Sequence, residues 1–304
     1  MWVLCAFISA AMLGVYDLFK KQSLRDNAVL PVLFLNTLFC SILFVPLLIL
    51  SGNAISADAL FYIPPTTLGE QQYIFIKAII VLSSWVAGYF AIKHLPLTIA
   101  GPVNATRPVL VLLGALLIYG ESLNAWQWAG VTLAIISFYL LSIAGRKEGI
   151  RFGHDRWVYC LVLAALLGAA SGLYDKYLLA PVEQGGIGLN RMTVQAYYNL
   201  YQCLLMLVML MLIWYPRRRK STPFRWHPAI PFISIFLTIA DLVYFYALSH
   251  PDAMISVVSM IRRGSVIVSF AFGAWLLKEK NLRSKLFDVI LVLISMILLY
   301  IGSR

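Results

Sequence analysis

Two arginines and one aspartate stand inside long apolar stretches of this chain. Arg107 is the only charged residue between positions 95 and 120, and Arg263, preceded by Arg262, has a comparable setting near the C-terminal end. Asp241 lies in a third such stretch. A guanidinium group presents a planar fork of donors that binds a carboxylate or a phosphate through two hydrogen bonds. We therefore predict that Arg107 and Arg263 bind a substrate, with Asp241 as a gate or a proton carrier.

A second interpretation of the same residues is purely structural. Asp241 then pairs with Arg262 or Arg263, and the remaining arginines donate to backbone carbonyls that nearby prolines leave without a partner. Three deep arginines against one deep aspartate leave an excess of positive charge, which favours an anionic or zwitterionic substrate.

The composition indicates which solvent surrounds these charges. Hydrophobic residues make up 61% of the 304 residues, charged residues only 12%, and the mean hydropathy is +0.84. This leaves too little polar surface to cover a water-soluble globule. The chain is therefore predicted to be an integral membrane protein, in which a buried charge is costly unless it is paired or hydrated.

Ten apolar stretches are long enough to cross a bilayer as helices, which takes about 20 residues each. The predicted spans are 2–19, 28–50, 73–94, 96–119, 124–145, 157–177, 192–215, 227–249, 254–277 and 286–303.

The landmarks of the first half recur in the second half. The sequence Gly-x-Tyr-Asp ends at Asp17 and again at Asp175, which are 158 positions apart, and Glu121 and Glu279 are separated by the same number. Five spans per copy is an odd number, so the second copy enters the membrane with the opposite orientation. The predicted fold is an all-α membrane protein whose ten transmembrane helices form two inverted five-helix repeats, residues 1–147 and 148–304.

The repeated aspartates are predicted to gate or couple transport together with the tyrosines that precede them, Tyr16 and Tyr174. The alternative is a structural interface cap. For Asp17 an ion pair with Lys21, one helical turn later, is a sufficient explanation, whereas Asp175 has no such partner on its own helix.

Uncharged polar residues supply further candidate substrate contacts. Asn104 lies between Pro102 and Pro108, where the prolines are expected to loosen the helix, and such a break survives in a membrane only inside protein or beside a wet cavity. A packing kink is the alternative. His94 and Arg107 recur 156 positions later as His250 and Arg263, and at the same offset Trp85 corresponds to Asp241. Trp85 is predicted to line the cavity or to pack.

Asn36 and Asn199 occupy matching places in the second and seventh spans, 163 positions apart. They are candidate substrate contacts, although hydrogen bonding between helices is the more common role of such residues. Glu121 and Glu279 follow their arginines by 14 and 16 residues, about 21 to 24 Å along a helix, and are expected to cap and orient helices near the membrane surface.

No motif for catalysis or for a cofactor is visible. The four cysteines form no Cys-x-x-Cys pair and are interpreted as packing residues, the four histidines have no metal-ligand spacing, and no phosphate-binding loop occurs. We predict a transporter without metal or cofactor. The alternatives are an integral membrane enzyme that acts on a lipid-linked or small substrate, and a scaffold or receptor.

The net charge of +11 predicts topology and not nucleic-acid binding. Most of the 24 Lys and Arg residues fall in the odd-numbered loops, which are therefore predicted to be cytoplasmic and to attract membrane lipids. Both termini then face outward.

The whole chain resembles the EamA-like branch of the drug/metabolite transporter superfamily. The resemblance rests on the two five-span halves and on three motifs, namely Lys20 or Lys21 near the end of the first span, Arg107-Pro108 and Gly120-Glu121. The second half departs from the pattern at Gly264 and Lys278. The resemblance implies a ten-helix bundle that moves a small metabolite through a central cavity across the cytoplasmic membrane. It also implies that both termini lie on the cytoplasmic side, whereas the charge distribution predicts that both face outward.

Overall fold

The computed structural model of the chain describes residues 1–24, 26–51, 59, 61–94, 97–143, 156–218, 222–265, 268 and 282–302. The predicted boundary between the halves, at 147/148, lies outside these residues, as do Arg25, Lys278 and Glu279. The side chains of Lys21 and Asn104 also lie outside them.

The described residues form ten main helices in the predicted order. Their bounds are α1 Trp2–Leu24, α2 Val29–Ser51, α3 Leu68–His94, α4 Leu97–Ile118, α5 Ala125–Ile143, α6 Arg156–Leu179, α7 Arg191–Arg217, α8 Ala229–Leu248, α9 Ile255–Arg263 and α10 Leu282–Gly302. A single 3₁₀ turn, Val182–Gln184, precedes α7, and a π-helical segment, Leu210–Trp214, lies within it.

Six of these helices, α1, α2, α3, α6, α7 and α8, are long and apolar enough to cross a membrane within the described residues. Lipid offers no partner to a free backbone N–H or C=O group, so a helix, which satisfies its own backbone, is the form such segments adopt. The predicted number of ten helices agrees with the structure. Within the described residues, six of the ten are long and apolar enough to span a membrane.

One local expectation is wrong. Helix α4 continues through Pro102 and Pro108 without interruption, although both prolines were expected to loosen it. A proline removes one donor per site, and neighbouring helices of a bundle compensate for that loss within a membrane.

Polar side chains define several helix ends. Thr67 and Glu70 form a reciprocal capping box at the start of α3, with Glu70 accepting from the Thr67 backbone at 2.7 Å. The Asn190 side chain accepts from the Met192 N–H at 2.8 Å and begins α7. Glu121 caps α9 by accepting from the Ile255 N–H at 2.7 Å, as the prediction that Glu121 orients helices requires.

The helix packing repeats between the halves. Helix α1 packs along α8 as α6 packs along α3, and α9 contacts α1 as α4 contacts α6. Helices α2 and α7 pair with each other, as do α5 and α10. These main contacts are therefore exchanged into one another when the first five helices are exchanged for the last five.

The α5–α10 pair depends on a glycine. A Cβ atom at Gly130 would lie 2.9 Å from Leu299 Cγ and 3.0 Å from the Ser295 carbonyl oxygen, so the two backbones approach closely there. Small residues permit such approach between membrane helices.

We expect Gly130→Ala to lower the melting temperature by several degrees, because overpacking of this kind costs about 1–3 kcal/mol. Gly69→Ala is the matched control, since the nearest atom to its Cβ, Thr67 Oγ1, is 4.0 Å away. The assigned α5–α10 contact is wrong if both variants melt like the wild type in detergent.

Candidate functional site

A cavity of about 430 Å³ lies between the halves of the bundle. Helices α1, α3 and α4 line it from the first half, and α6 to α9 line it from the second. The charged residues at its wall are Asp17, Lys20, Lys77, Arg107, Asp175, Asp241, Arg262 and Arg263.

Arg107 and Arg263 reach this cavity from α4 and α9, one from each half. Their positive charges are close enough to act on each other. The Arg107 Nη2 atom donates to the Gly168 carbonyl oxygen at 2.7 Å. One edge of the guanidinium is thus held by α6. The structural interpretation expected such a bond to a backbone carbonyl, but to one freed by a nearby proline and not to that of Gly168.

Gly168 is what allows this position of Arg107. A Cβ atom at Gly168 would lie 2.5 Å from Arg107 Cζ and 2.6 Å from Nε. The flat guanidinium therefore rests on the bare backbone of α6.

Asp241 pairs with Arg262, whose Nη2 atom lies 2.8 Å from the Asp241 carboxylate. This is the ion pair that the structural interpretation predicted. The Arg262 guanidinium also stacks over the Tyr244 ring, 3.9 Å from its centre. The pair lies on the cavity wall, so the contact does not remove Asp241 from the site.

Trp85 lines the cavity at the place that corresponds to Asp241. Helices α3 and α8 contribute four corresponding positions of the repeat to the cavity, each pair separated by 156 positions. The pairs are Val81 and Leu237, Trp85 and Asp241, Gly88 and Tyr244, and Tyr89 and Phe245. The repeat found in the sequence thus extends to the surface of the cavity.

Asp175 has a partner that its own helix does not supply. The Lys77 ammonium of α3 forms an ion pair with the Asp175 carboxylate, and the Tyr244 hydroxyl donates to the same carboxylate at 3.2 Å. Lys77 is only 2% exposed and lies over the rings of Tyr198 and Phe245, 4.5 and 4.8 Å from their centres.

Sequence reasoning missed Lys77. The signal was present, because it is the only charged residue between Glu70 and Lys93 in a predicted span.

Asp17 also lines the cavity, where the charges of Lys20 and Arg263 act on it. The Lys20 ammonium lies over two tyrosine rings, 5.2 Å from the centre of Tyr16 and 4.6 Å from that of Tyr89. The side chain of Lys21, the predicted partner of Asp17, lies outside the described residues.

Three predicted site residues, Tyr174, Asn36 and Asn199, are not among the described residues that line the cavity, and the side chain of a fourth, Asn104, is not described. The Tyr174 hydroxyl donates to the Tyr73 carbonyl at 3.2 Å, and its ring packs against Tyr177. Tyr16 and Tyr174 therefore have different surroundings despite their matching sequence context. The Asn104 side chain lies outside the described residues.

Asn36 and Asn199 lie at helix interfaces. The Ser234 hydroxyl lies 3.1 Å from the Asn36 side-chain oxygen, which is a contact between helices of the kind that the alternative interpretation favoured. At Asn199 the contact is made by the backbone, whose carbonyl accepts from the Ser41 hydroxyl at 2.9 Å.

The two ends of the cavity differ in burial. Around the Lys77–Asp175 pair, the lining residues Tyr198, Tyr244 and Ile255 are all buried. Toward the other end the lining residues Asp17, Lys20, Trp85, Gly88 and Tyr89 are half-buried. The lining is thus more deeply buried at the first end, here called the closed end, than at the second, here called the accessible end.

Two contacts near the closed end tie helices together. Glu121 accepts from the first N–H groups of α9, and the Lys176 ammonium donates to the Ala253 carbonyl at 2.5 Å just before that helix. They hold the start of α9 against α6 and the end of α4.

No cluster of three His, Cys, Asp or Glu side chains suited to a metal ion occurs in the part of the chain that the structure describes.

Comparison with known proteins identifies this bundle. The family model of the EamA-like transporter family matches residues 1–143. Residues 1–143 are an EamA-like domain. The family lies within the drug/metabolite transporter superfamily, so the resemblance inferred from the sequence is confirmed.

Two further similarities cover nearly the whole chain. An uncharacterized transporter of Archaeoglobus fulgidus is 24% identical over 289 residues, 91% of each protein. A solved crystal structure of a protein without further description has a TM-score of 0.71 at 15% identity, covering 98% of this chain and 95% of that one, and thus shares the fold. Together with the apolar helices, these matches indicate a multi-pass membrane transporter whose residues 1–143 resemble the EamA-like family.

Gly168→Ala should strongly impair transport, because the added methyl group displaces the Arg107 guanidinium and breaks its 2.7 Å hydrogen bond. Gly172→Ala, one turn later on α6, is the matched control, since its Cβ would meet only Val111 Cγ2 at an ordinary 3.8 Å. Equal transport rates for the two variants in reconstituted vesicles would show that the position of Arg107 has no role.

Proposed function

We propose that this membrane transporter is a secondary transporter that moves a small anionic or zwitterionic metabolite across the cytoplasmic membrane by alternating access. The observation that carries the proposal is the convergence of Arg107 and Arg263, from corresponding helices of the two halves, on one cavity. Preformed guanidinium donors in a site sheltered from water bind carboxylates and phosphates strongly.

The repeated packing supports an inverted arrangement of the halves. The main helix contacts of one half have counterparts in the other, and four cavity positions on α3 correspond to four on α8. With an odd number of spans in each half, such copies run in opposite directions through the bilayer. Inverted halves can exchange their conformations, which closes one end of the central site as the other opens.

The Lys77–Asp175 pair is the proposed gate at the closed end. It joins α3 to α6, and Tyr244 adds a contact from α8, so opening this end requires that these helices separate. A buried ion pair is costly to break when one partner remains in an apolar setting, but water that enters with the opening hydrates both groups.

Asp17 and Asp241 are the proposed coupling groups, with transport driven by protons or by exchange. Both carboxylates lie on the cavity wall beside arginines. A carboxylate so placed binds a proton more readily when its cation turns to a bound anion, which links proton and substrate binding.

Arg107→Ala and Arg263→Ala should each abolish transport while leaving the protein folded, because each removes a donor fork from the substrate. Arg156→Ala is the control, since this arginine stacks on Trp157 and does not line the cavity. Counterflow in vesicles of a metabolite found by thermal-shift screening measures the effect. Wild-type rates in both cavity variants would refute the proposed function, and conversion of the metabolite, seen by mass spectrometry, would indicate an enzyme instead.

Lys77→Met and Asp175→Leu should each destabilise the protein by about 3–5 kcal/mol, because each leaves one uncompensated buried charge. The double variant should be more stable than either single variant, since it removes both charges. The double variant is also made in a background without the native cysteines and with a cysteine in place of Ser171. In this protein the new cysteine should react with a charged thiol reagent from both faces of the membrane. Reaction from a single face in both the parent and the double variant would exclude the pair as the gate.

An imposed pH gradient should accelerate uptake if protons drive transport, and Asp17→Asn should remove that acceleration. The comparison uses vesicles with and without the gradient at equal external pH. A flat response of the wild-type protein would leave exchange as the mechanism and take the carboxylates out of the coupling role.

A further inference from the structure

The charges at the cavity wall do not balance. Among the described lining residues there are five cations, Lys20, Lys77, Arg107, Arg262 and Arg263, and three carboxylates, Asp17, Asp175 and Asp241. The described part of the wall therefore carries a formal excess of two positive charges.

Two carboxylates are matched by cations of the protein. Arg262 holds Asp241 at 2.8 Å, and Lys77 holds Asp175. The excess therefore belongs to the other charged lining residues, three cations and one carboxylate: Lys20, Arg107, Arg263 and Asp17. Lys20 and Asp17 lie toward the accessible end, where a ligand would enter.

A net charge enclosed away from water is costly, because the surrounding protein and lipid solvate it poorly. In alternating access the site passes through a state in which both ends are closed. A ligand that cancels the charge of the wall makes that state accessible, whereas a ligand that leaves one or two charges uncompensated raises its free energy.

We propose that the substrate is a dianion, either a dicarboxylate or a phosphate monoester. The inference rests on the proposed transport function and narrows its substrate class. A zwitterion leaves the excess of two, a monoanion leaves one positive charge, and a trianion leaves one negative charge.

The placement of Lys20 fits a ligand with separated anionic groups. Its ammonium lies over the Tyr16 and Tyr89 rings, 5.2 and 4.6 Å from their centres, and such cation–π contacts hold the charge without neutralising it. Arg107 and Arg263 come from other helices, α4 and α9. The cavity thus offers cations on more than one side, and Lys20 is a specificity-determining residue.

The test is a charge ladder with butyrate, succinate and tricarballylate, which carry one, two and three carboxylates when fully ionised. Dissociation constants are measured by ligand-dependent thermal stabilisation of the purified full-length protein. Glycerol 3-phosphate, compared with glycerol, tests whether a phosphate monoester is the preferred dianion.

For the wild-type protein we expect succinate or glycerol 3-phosphate to bind at least about tenfold more tightly than the monoanion and the trianion. Lys20→Gln, which lowers the excess to one, should move the preference to butyrate. Asp17→Asn, which raises it to three, should move the preference to tricarballylate. Arg156→Gln, outside the cavity, should keep the preference for the dianion.

A wild-type preference for butyrate or tricarballylate, or an order of affinities that is the same in the Lys20, Asp17 and wild-type proteins, would overturn the assignment. So would failure of both dianions to bind. If Arg107→Ala still abolishes transport in those cases, the substrate class is wrong and the transport function stands. If Arg107→Ala and Arg263→Ala transport normally, the function itself fails.

Discussion

A charged side chain inside a bilayer has to be paired or hydrated, and the arrangement of this bundle follows from that requirement. Eight charged residues in the described part of the apolar helices meet at one cavity. Each of α1, α3, α4, α6, α8 and α9 therefore has to turn one particular face inward. Their remaining faces carry exposed apolar side chains such as Leu117 and Leu4, 85% and 60% exposed, which suit contact with lipid.

The same requirement divides the cavity into two regions with different roles. At the closed end the charges are matched within the protein, where Lys77 and Asp175 are buried together among aromatic rings. Matched charges tie helices to one another. Toward the accessible end the cations outnumber the carboxylates among the described lining residues, and the proposed anionic substrate would correct that imbalance. The proposed gate and the proposed binding site thus use one set of residue types.

The sequence predicted the depth of residues far better than their direction. The ten helices follow the predicted spans to within a few residues at most described ends, because the length of an apolar run is set by the bilayer. Arg107 and Arg263 were found because a charge in an apolar run is conspicuous. Which way a residue points depends on the rotation of its helix against its neighbours, and a single sequence does not record that rotation.

The residues that were predicted to lie in the site but lie elsewhere show this limit of sequence reasoning. Asn36 and Tyr174 lie at suitable depths, yet they face neighbouring helices and not the cavity. The Lys77–Asp175 contact joins residues 98 positions apart on different helices, so no local spacing indicates it. The repeat was a better guide, since cavity positions on α3 predict their counterparts on α8 through the constant separation of 156 residues.

The central claim is that Arg107 and Arg263 bind one anion between the two halves of the bundle. Selenate is a dianion whose selenium scatters X-rays anomalously, so crystals grown with it locate the anion directly. The account predicts an anomalous peak in the cavity within hydrogen-bond distance of both guanidinium groups, and loss of this peak in Arg107→Ala crystals. Guanidinium groups turned away from an empty cavity, or a peak that persists without Arg107, would contradict it.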